Sequence, residues 1–283
     1  MAVYSWSEKV MKLLSRMNNF YLAGSCRADC CRFEIEGSQV GWIPPHVTSL
    51  LTGYPEVFSS PNGGAVSLCP SLDSYQKRSE AVDAVLQSLR GEDSLGCLKG
   101  WRDEEQPNNI IMKHYFSEVQ SDSSYHNSGE VSMWLGRRSP TKQTYPGLLD
   151  NLAAGGLSAD VSIKHTLVKE CQEEACIPAA IAEKALHVST VSYTYEDEEG
   201  VFPECQFVFD LELPLDFRPR VGDGEVQEFY LLPIDKVKEL LATDDFKPNC
   251  AMVALDFLIR HSFIDPDTEP FYQEFLAGLH QTL

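Results

Sequence analysis

Residues 155–177 read GGLSADVSIKHTLVKECQEEACI, and this stretch decides the fold of the later part of the chain. Its segment KECQEE contains three carboxylates, Glu170, Glu173 and Glu174. Because residues three and four positions apart share a helix face, the three acids lie within an arc of about 100°. Such close like charges repel one another. We therefore predict a bound cation, and oxygen ligands favour a hard divalent ion, Mg²⁺ or Mn²⁺.

The same stretch carries an apolar stripe, which predicts an amphipathic helix. The stripe consists of Ile163, Leu167, Cys171 and Ala175. A projection at about 100° per residue places Glu174 on this buried stripe and Glu173 farther outward. A solvated acidic face is the alternative interpretation, but a carboxylate at a buried edge needs a partner. The pattern favours a metal site.

These residues resemble the box of the Nudix hydrolases, which runs Gly, five residues, Glu, seven residues, then Arg-Glu-apolar-any-Glu-Glu-any-Gly-apolar. The first Gly corresponds to Gly155, and the closing run corresponds to residues 169–177. The resemblance implies an α/β fold, namely a Nudix α/β/α sandwich with a mixed sheet. It also implies a diphosphatase in which Glu170, Glu173 and Glu174 bind the metal.

The sequence departs from the box at three positions. Val161 stands where the box has its first Glu, Lys169 where it has Arg, and Cys176 where it has its late Gly. Lys keeps the positive charge but loses the fork geometry of Arg, and Cys176 implies a helix end that does not use a left-handed Gly. These departures leave open a second hypothesis, a non-catalytic binding or regulatory protein on a Nudix scaffold. An isomerase on the related diphosphate isomerase fold is disfavoured because Cys171 lies on the buried stripe.

The predicted phosphate-binding residues lie near the start of the box. Arg137 and Arg138 end a predicted strand, and a guanidinium there can bind phosphate bidentately. Neighbouring strand residues face opposite ways, so at most one arginine does so and the other is expected to be solvated. Gly155 and Gly156 let the backbone pass close to a diphosphate, with a plain turn as the alternative. Lys169 either pairs with a neighbouring acid, contacts phosphate or is an ordinary surface lysine.

Two acidic segments are candidates for a general base or an additional metal ligand. The first is the loop 196–199, which reads EDEE and is otherwise a solvated hairpin tip. The second contains Glu225 and Glu228. Four aromatic residues are candidates for stacking on a heteroaromatic substrate, with core packing as the alternative. They are Trp134, Tyr145, Tyr193 and Tyr195.

The composition restricts the partners and the compartment. In 283 residues, 42 acids against 23 bases give a formal charge of −19, which argues against nucleic acid and anionic membranes. The sequence has no apolar run of 18 residues, so we expect no membrane span. Nine cysteines without paired CxxC motifs favour free thiols over zinc ligands and predict a cytoplasmic protein. Val10, Leu13, Leu14 and Met17 repeat at helical spacing, which favours a first helix within residues 1–20 over a transit peptide and leaves a mitochondrial location as the alternative.

The chain divides into two predicted domains at the polar stretch 103–109, DEEQPNN. Residues 1–108 form a smaller α/β accessory domain, in which residues 30–45 read as two short strands joined at Glu36-Gly37-Ser38 and residues 74–90 read as a helix. Residues 109–283 form the Nudix hydrolase domain, in which residues 110–119 are predicted to form a strand. The accessory domain either contributes to substrate recognition or only covers an apolar face of the other domain. The oligomeric state does not follow from the sequence.

The resemblance extends beyond the box to the thiamine pyrophosphokinase-related Nudix proteins. It rests on QVGWIPPHV (residues 39–47), GWRDE (residues 100–104) and YPGLLDNLAAGG (residues 145–156). It implies an extra N-terminal domain and a small-molecule diphosphate as substrate. The implied reaction converts diphosphates of thiamine analogues, especially damaged forms, to monophosphates.

Overall fold

The computed structural model describes residues 4–59, 64–95, 118–122, 131–157, 161–198 and 200–282. They fall into two compact units. The larger unit contains residues 1–17, 117–193 and 205–281, and the smaller unit contains residues 18–116, 194–204 and 282–283. Residues 1–17 are thus grouped with the later part of the chain, although the sequence assigns them to the accessory domain. The predicted boundary at 108/109 and most of the predicted strand 110–119 lie outside the described residues.

The helices are α1 (Trp6–Met17), α2 (Pro45–Leu51), α3 (Tyr75–Gly91), α4 (Ile163–Ala175), α5 (Ala179–Ala182), α6 (Ile234–Leu241), α7 (Pro248–Arg260) and α8 (Tyr272–Leu279). The strands are β1 (Cys31–Ile35), β2 (Ser38–Ile43), β3 (Phe58–Ser59), β4 (Ala65–Leu68), β5 (Glu118–Asp122), β6 (Ser132–Arg138), β7 (Leu149–Asp150), β8 (Ala153–Gly156), β9 (Leu186–Glu196), β10 (Val201–Asp210) and β11 (Val226–Pro233).

The smaller unit contains a four-stranded sheet in the order β2-β1-β4-β3. The predicted hairpin at residues 31–43 is confirmed, and its turn uses Glu36 and Gly37 at φ 52° and 79°. The predicted helix α3 is also confirmed, and it begins at Ser74, whose side chain accepts a hydrogen bond from the backbone N–H of Lys77. Buried Val85 and Leu89 of α3 join a hydrophobic cluster that also includes residues of β2 and β4.

The larger unit contains two sheets, with strand orders β8-β5-β10-β9 and β11-β6-β7. The first sheet is mixed, because β5 pairs in parallel with β10 and antiparallel with β8. Helix α4 packs against β8 and β5, whereas α6 and α7 pack against strands of the second sheet. The predicted mixed-sheet α/β architecture is confirmed.

Helix α1 packs against α7 and α8 in the larger unit. Its predicted apolar face is confirmed, because Val10, Leu14 and Met17 are buried. At its start, Trp6 donates its indole N–H to the backbone carbonyl of Lys238 at 2.6 Å. The first helix is therefore part of the core of the larger unit.

The sequence interpretation missed three elements, α5, β7 and β8. Both strands lie in the segment 145–156, which reads as turn residues because Gly, Asn and Ala have low strand propensity. Backbone pairing with β5 makes residues 153–156 a strand in spite of that propensity. Among the described residues, no helix has the length and hydropathy needed to cross a membrane.

Candidate active site on helix α4

Helix α4 begins and packs as its sequence predicts. The Ser162 side chain accepts a hydrogen bond from the backbone N–H of His165 and so caps the first turn. Leu167, Cys171 and Ala175 are at most 1% exposed and join a cluster with residues of β6, β8 and β10. A fully buried leucine contributes roughly 1.5–3 kcal/mol to folding, so this stripe fixes the rotation of the helix. The burial of Cys171 also removes it as a catalytic thiol.

The C-terminal end of α4 is held by the loop before β11. The backbone N–H groups of Arg220 and Gly222 donate to the carbonyls of Ala175 and Glu174, at 3.0 and 3.1 Å. A Cβ at Gly222 would lie 1.8 Å from the Glu173 carbonyl oxygen, so only glycine permits this approach. Cys176 is left-handed at φ 53°. The helix therefore ends in the conformation that the family's Gly would adopt, with a cysteine in its place.

The outermost strand of the mixed sheet, β8, contacts two of the three predicted metal acids. The backbone N–H of Ala154 donates to Glu174 Oε2 at 2.9 Å. Burial raises the pKa of Glu174 well above its usual value, and the charges of Asp150, Glu170 and Glu225 add to this rise. The hydrogen bond from Ala154 opposes it. The predicted inward orientation of Glu174 is confirmed.

Glu170 lies directly against the backbone of β8 at Gly155. A Cβ at Gly155 would lie 2.1 Å from the Glu170 carboxyl carbon, far inside van der Waals contact. Burial also raises the pKa of Glu170, with the charges of Glu173 and Glu225 adding to the effect and Lys169 opposing it. The glycine at position 155 thus makes room for a carboxylate of α4.

Glu173 points outward and is paired with Lys169. Lys169 Nζ lies 2.9 Å from Glu173 Oε2 and 3.1 Å from Glu170 Oε1. Of the three predicted roles for Lys169, pairing with neighbouring acids is the one that the structure contains. The expectation that only a bound cation neutralises Glu173 is wrong, because Lys169 already does so. This contact also raises the pKa of Lys169.

A fourth carboxylate, Glu225, joins this group from the start of β11. Its charge contributes to the raised pKa of both Glu170 and Glu174. Its side chain is paired with Lys142, which the sequence interpretation did not single out. The other candidate base, Glu228, hydrogen bonds to Tyr230 and raises the pKa of that hydroxyl. Of the two acids, Glu225 is the one that lies by the acidic helix.

Arg138 is a structural residue of the larger unit. Its Nη1 lies 2.6 Å from Asp150 Oδ2, and its other guanidinium nitrogens donate to the carbonyls of Thr144 and Tyr145. Burial alone would raise the pKa of Asp150, but the charges of Lys247 and Arg138 and a hydrogen bond from the Cys250 thiol lower it. Breaking such a buried pair by removing one partner costs about 3–5 kcal/mol.

Arg137 forms a two-point ion pair with Asp245, at 2.7 and 3.2 Å, and donates to the carbonyl of Gly147 at 3.0 Å. Its side chain is 23% exposed, and that of Arg138 is 10% exposed. The prediction that one of the two is solvated is wrong, because carboxylates distant in sequence bind both. Both guanidinium groups have partners within the protein, and their role in substrate binding stays a prediction.

The remaining predicted residues differ in their surroundings. Among the residues that the structure describes, no atom lies within 4 Å of the Cβ position of Gly156. Val161 is 36% exposed, so an acid would be accommodated there. Trp134 and Tyr193 are buried and Tyr195 stacks on Phe202, which leaves Tyr145 as the exposed member of the aromatic set.

The loop 196–199 belongs to the smaller unit, apart from Glu199, which is not described. The Glu196 carboxylate accepts hydrogen bonds from the backbone N–H of Cys26, at 2.9 and 3.2 Å. This acid therefore has a structural partner within its own unit.

The donor set fits a hard divalent cation by its chemistry. Glu170, Glu173 and Glu174 supply oxygen atoms alone, which is the preference of Mg²⁺ and Mn²⁺. Each of these carboxylates lies close enough to oppose the ionisation of another, so a cation would stabilise all three. Within the part of the chain that the structure describes, no three Asp, Glu, His or Cys side chains already stand in metal-binding geometry.

The acidic helix α4, strand β8 and Glu225 all lie within one segment of the chain that matches a family model. The NUDIX domain model matches residues 124–251, and the model of a domain of unknown function, DUF4743, matches residues 9–115.

Two curated plant proteins are similar along most of the chain. Nudix hydrolase 20, chloroplastic, from Arabidopsis thaliana is 37% identical over 264 residues, which cover 84% of this chain and 70% of that protein. Nudix hydrolase 24, chloroplastic, from the same plant is 36% identical and covers 83% and 69%. Among solved structures, the NUDIX domain of Shewanella oneidensis NrtR complexed with ADP ribose is 14% identical, covers 59% of this chain and 96% of that one, and gives a TM-score of 0.42. The chain belongs to the Nudix hydrolases, a family of enzymes that generally use divalent metal ions.

Proposed function

We propose that this protein hydrolyses a small organic diphosphate to the monophosphate, with Mg²⁺ or Mn²⁺ bound by Glu170, Glu173 and Glu174. The observation that carries the proposal is the arrangement of two of these acids on strand β8. Glu174 is fixed by the Ala154 N–H, and Glu170 lies against Gly155. A Glu-rich surface helix has no reason to turn two carboxylates toward a strand of the sheet, since each loses hydration there.

Each side chain has a defined task in this proposal. Glu170 and Glu174 would hold the metal from fixed positions, and Glu173 would join them by exchanging its contact with Lys169. When bound, the metal would polarise the phosphoryl group of the substrate and lower the pKa of a bound water. Glu225, half-exposed and next to both inward acids, is our candidate for accepting the proton of the attacking water.

The organic half of the proposed substrate is inferred from the family and from the resemblance of two sequence segments. Nudix hydrolases act on nucleoside diphosphates linked to a further group, whereas the resemblance through QVGWIPPHV and YPGLLDNLAAGG favours thiamine diphosphate analogues or damaged forms. Tyr145 is the first residue of the segment YPGLLDNLAAGG and is 36% exposed. It is a candidate for contacting the heteroaromatic ring. The accessory domain, residues 1–108, is proposed to contribute to recognition of this half.

The compartment is also a proposal. The cytoplasmic location predicted from the cysteines stands beside two relatives whose names place them in chloroplasts. Location by fluorescent fusion of the full chain would separate a cytoplasmic from an organellar protein.

The test of the proposed function is a screen of nucleoside, sugar, coenzyme and thiamine diphosphates at fixed Mg²⁺, with the monophosphate product detected by chromatography. We expect one class to be hydrolysed by the wild type and the rate to vanish in EDTA. Glu174→Gln should lose 30- to 1000-fold in turnover, which corresponds to about 2–4 kcal/mol. Glu239→Gln, which changes an exposed acid paired with Lys236, is the charge-matched control. Binding of a diphosphate without any turnover by the wild type would favour the non-catalytic alternative.

A further inference from the structure

We propose that Lys142 is the residue that binds the diphosphate group of the substrate, in place of the two arginines that the sequence suggests. This inference rests on the proposed function, because it assigns a binding residue to the same site. Lys142 lies in the loop between β6 and β7 and is paired with Glu225.

The Lys142 loop is fixed to the acidic site through Glu225. The backbone N–H of Ser139 donates to the Glu225 carbonyl at 2.8 Å, and the Lys142 N–H donates to the Ser139 carbonyl at 3.1 Å. The hydroxyls of Ser139 and Thr141 are 2.8 Å apart and close the same turn. Both the backbone and the side chain of Glu225 therefore position Lys142 at Glu225, whose charge acts on Glu170 and Glu174.

The two arginines that the sequence suggests are committed to partners that are costly to leave. Arg138 neutralises a buried carboxylate, Asp150, so its departure would leave an unpaired charge in the protein interior. Arg137 makes a two-point contact with Asp245 and also donates to a carbonyl. Exchange of either partner for a phosphate would sacrifice several fixed hydrogen bonds.

The pair of Lys142 and Glu225 is of a different kind. In the part of the chain that the structure describes, Glu225 is the one side-chain partner of Lys142, whereas Arg137 makes three contacts. The Glu225 side chain is 41% exposed, so water can solvate it when the lysine leaves. A lysine ammonium is also a compact charge with three rotatable donors, which binds phosphate without a fixed orientation. The exchange of Glu225 for a diphosphate oxygen is thus less costly than the exchange of either arginine's partners.

The exchange couples the lysine to the site. A divalent cation held by the acids would attract Glu225, and Lys142 would then be able to turn to the anionic substrate. We therefore predict that metal and diphosphate strengthen each other's binding. The metal draws Glu225 away from Lys142, and the diphosphate draws Lys142 away from Glu225.

The test measures binding and turnover in the full chain. The affinity for inorganic pyrophosphate, in the presence of Mg²⁺, is determined by calorimetry for the wild type, Lys142→Ala and Lys142→Arg. We expect Lys142→Ala to weaken pyrophosphate binding at least tenfold, about 1.4 kcal/mol, and to raise KM for the best diphosphate more than it lowers kcat. Lys142→Arg should restore at least half of the lost binding free energy. Lys236→Ala, which breaks an exposed pair with Glu239, is the matched control and should bind as the wild type does.

Two outcomes would overturn the inference. The first is unchanged pyrophosphate affinity in a folded Lys142→Ala protein. The second is a loss of pyrophosphate affinity in Arg220→Ala but not in Lys142→Ala; Arg220 is another exposed cation near the end of α4. Failure of the proposed function has a different signature, because in that case the wild type itself shows neither Mg²⁺-dependent hydrolysis nor Mg²⁺-dependent pyrophosphate binding.

Discussion

Substitution of Gly155 by alanine should disable the site without unfolding the protein. The added Cβ would lie 2.1, 2.4 and 2.5 Å from Cδ, Cγ and Oε1 of Glu170. Ordinary contact begins at 3.4 Å, so the carboxyl carbon must move by about 1.3 Å, the difference between 3.4 and 2.1 Å. A misplacement of about 1 Å can cost roughly 100-fold in rate, or about 2.7 kcal/mol.

The fold itself should tolerate the change. The clashing atoms belong to the far end of a flexible side chain, and the φ angle of Gly155 is not in the left-handed region. Replacing Gly by Ala also lowers the entropy of the unfolded chain, which stabilises a protein by about 0.4–1 kcal/mol where the backbone permits it. We therefore expect the free energy of unfolding to change by less than about 1 kcal/mol.

The assay combines kcat/KM on the best diphosphate with the affinity for Mn²⁺, and urea unfolding serves as the check on folding. Gly156→Ala is the matched comparison, because no atom of the described residues lies within 4 Å of its Cβ position. It should keep the wild-type affinity for Mn²⁺, whereas Gly155→Ala should lose about tenfold or more. Wild-type metal affinity and rate in a folded Gly155→Ala protein would refute the role assigned to this glycine.

Three further substitutions test the surroundings of the site. Glu173→Gln should lower turnover less than Glu174→Gln does, because Glu173 is half-exposed and paired with Lys169 while Glu174 is held at β8; equal losses in single-turnover rates would contradict this ranking. Val161→Glu should change the free energy of unfolding by no more than about 0.5 kcal/mol, as for other exposed positions, and a larger loss in urea unfolding would mean that this residue is buried. Leu14→Ala should destabilise the larger unit by about 2–5 kcal/mol, since Leu14 is 3% exposed and α1 packs on α8; unchanged stability would show that α1 does not belong to that core.

The placement of α1 also changes how the role of the accessory domain is tested. A chain beginning near residue 108 would lack α1, whose buried face contacts the larger unit. Loss of activity in that protein would report a damaged core as well as lost recognition. A circular permutation that keeps residues 4–17 attached to the larger unit separates the two causes.

Helix α4 shows what the sequence can predict. Its stripe of Leu167, Cys171 and Ala175 repeats with the helix period, and burial of that stripe fixed the directions of Glu173 and Glu174 in advance. The hairpin at residues 31–43 followed from local turn chemistry in the same way. Periodicity and turn residues are local properties, so they need no knowledge of the tertiary structure.

Partners distant in the chain could not be predicted by the same means. Asp245 binds Arg137 from 108 positions away, and Glu225 binds Lys142 from 83 positions away. Strand β8 depends on backbone pairing with β5, which overrides the low strand propensity of Ala153 to Gly156. The sequence does place Lys142 four residues after Arg138 and just before Tyr145-Pro146-Gly147. Its pairing with Glu225 could not be predicted from that position.

The central claim is that the acids of α4 form a divalent-metal site used in catalysis, and Mn²⁺ binding measured by electron paramagnetic resonance tests it most directly. The account predicts saturable binding by the wild type and at least tenfold weaker binding by the double variant Glu170→Gln/Glu174→Gln. Glu239→Gln should bind as the wild type does, because its acid lies in an exposed pair with Lys236. Equal Mn²⁺ affinity in the wild type and the folded double variant would contradict the claim.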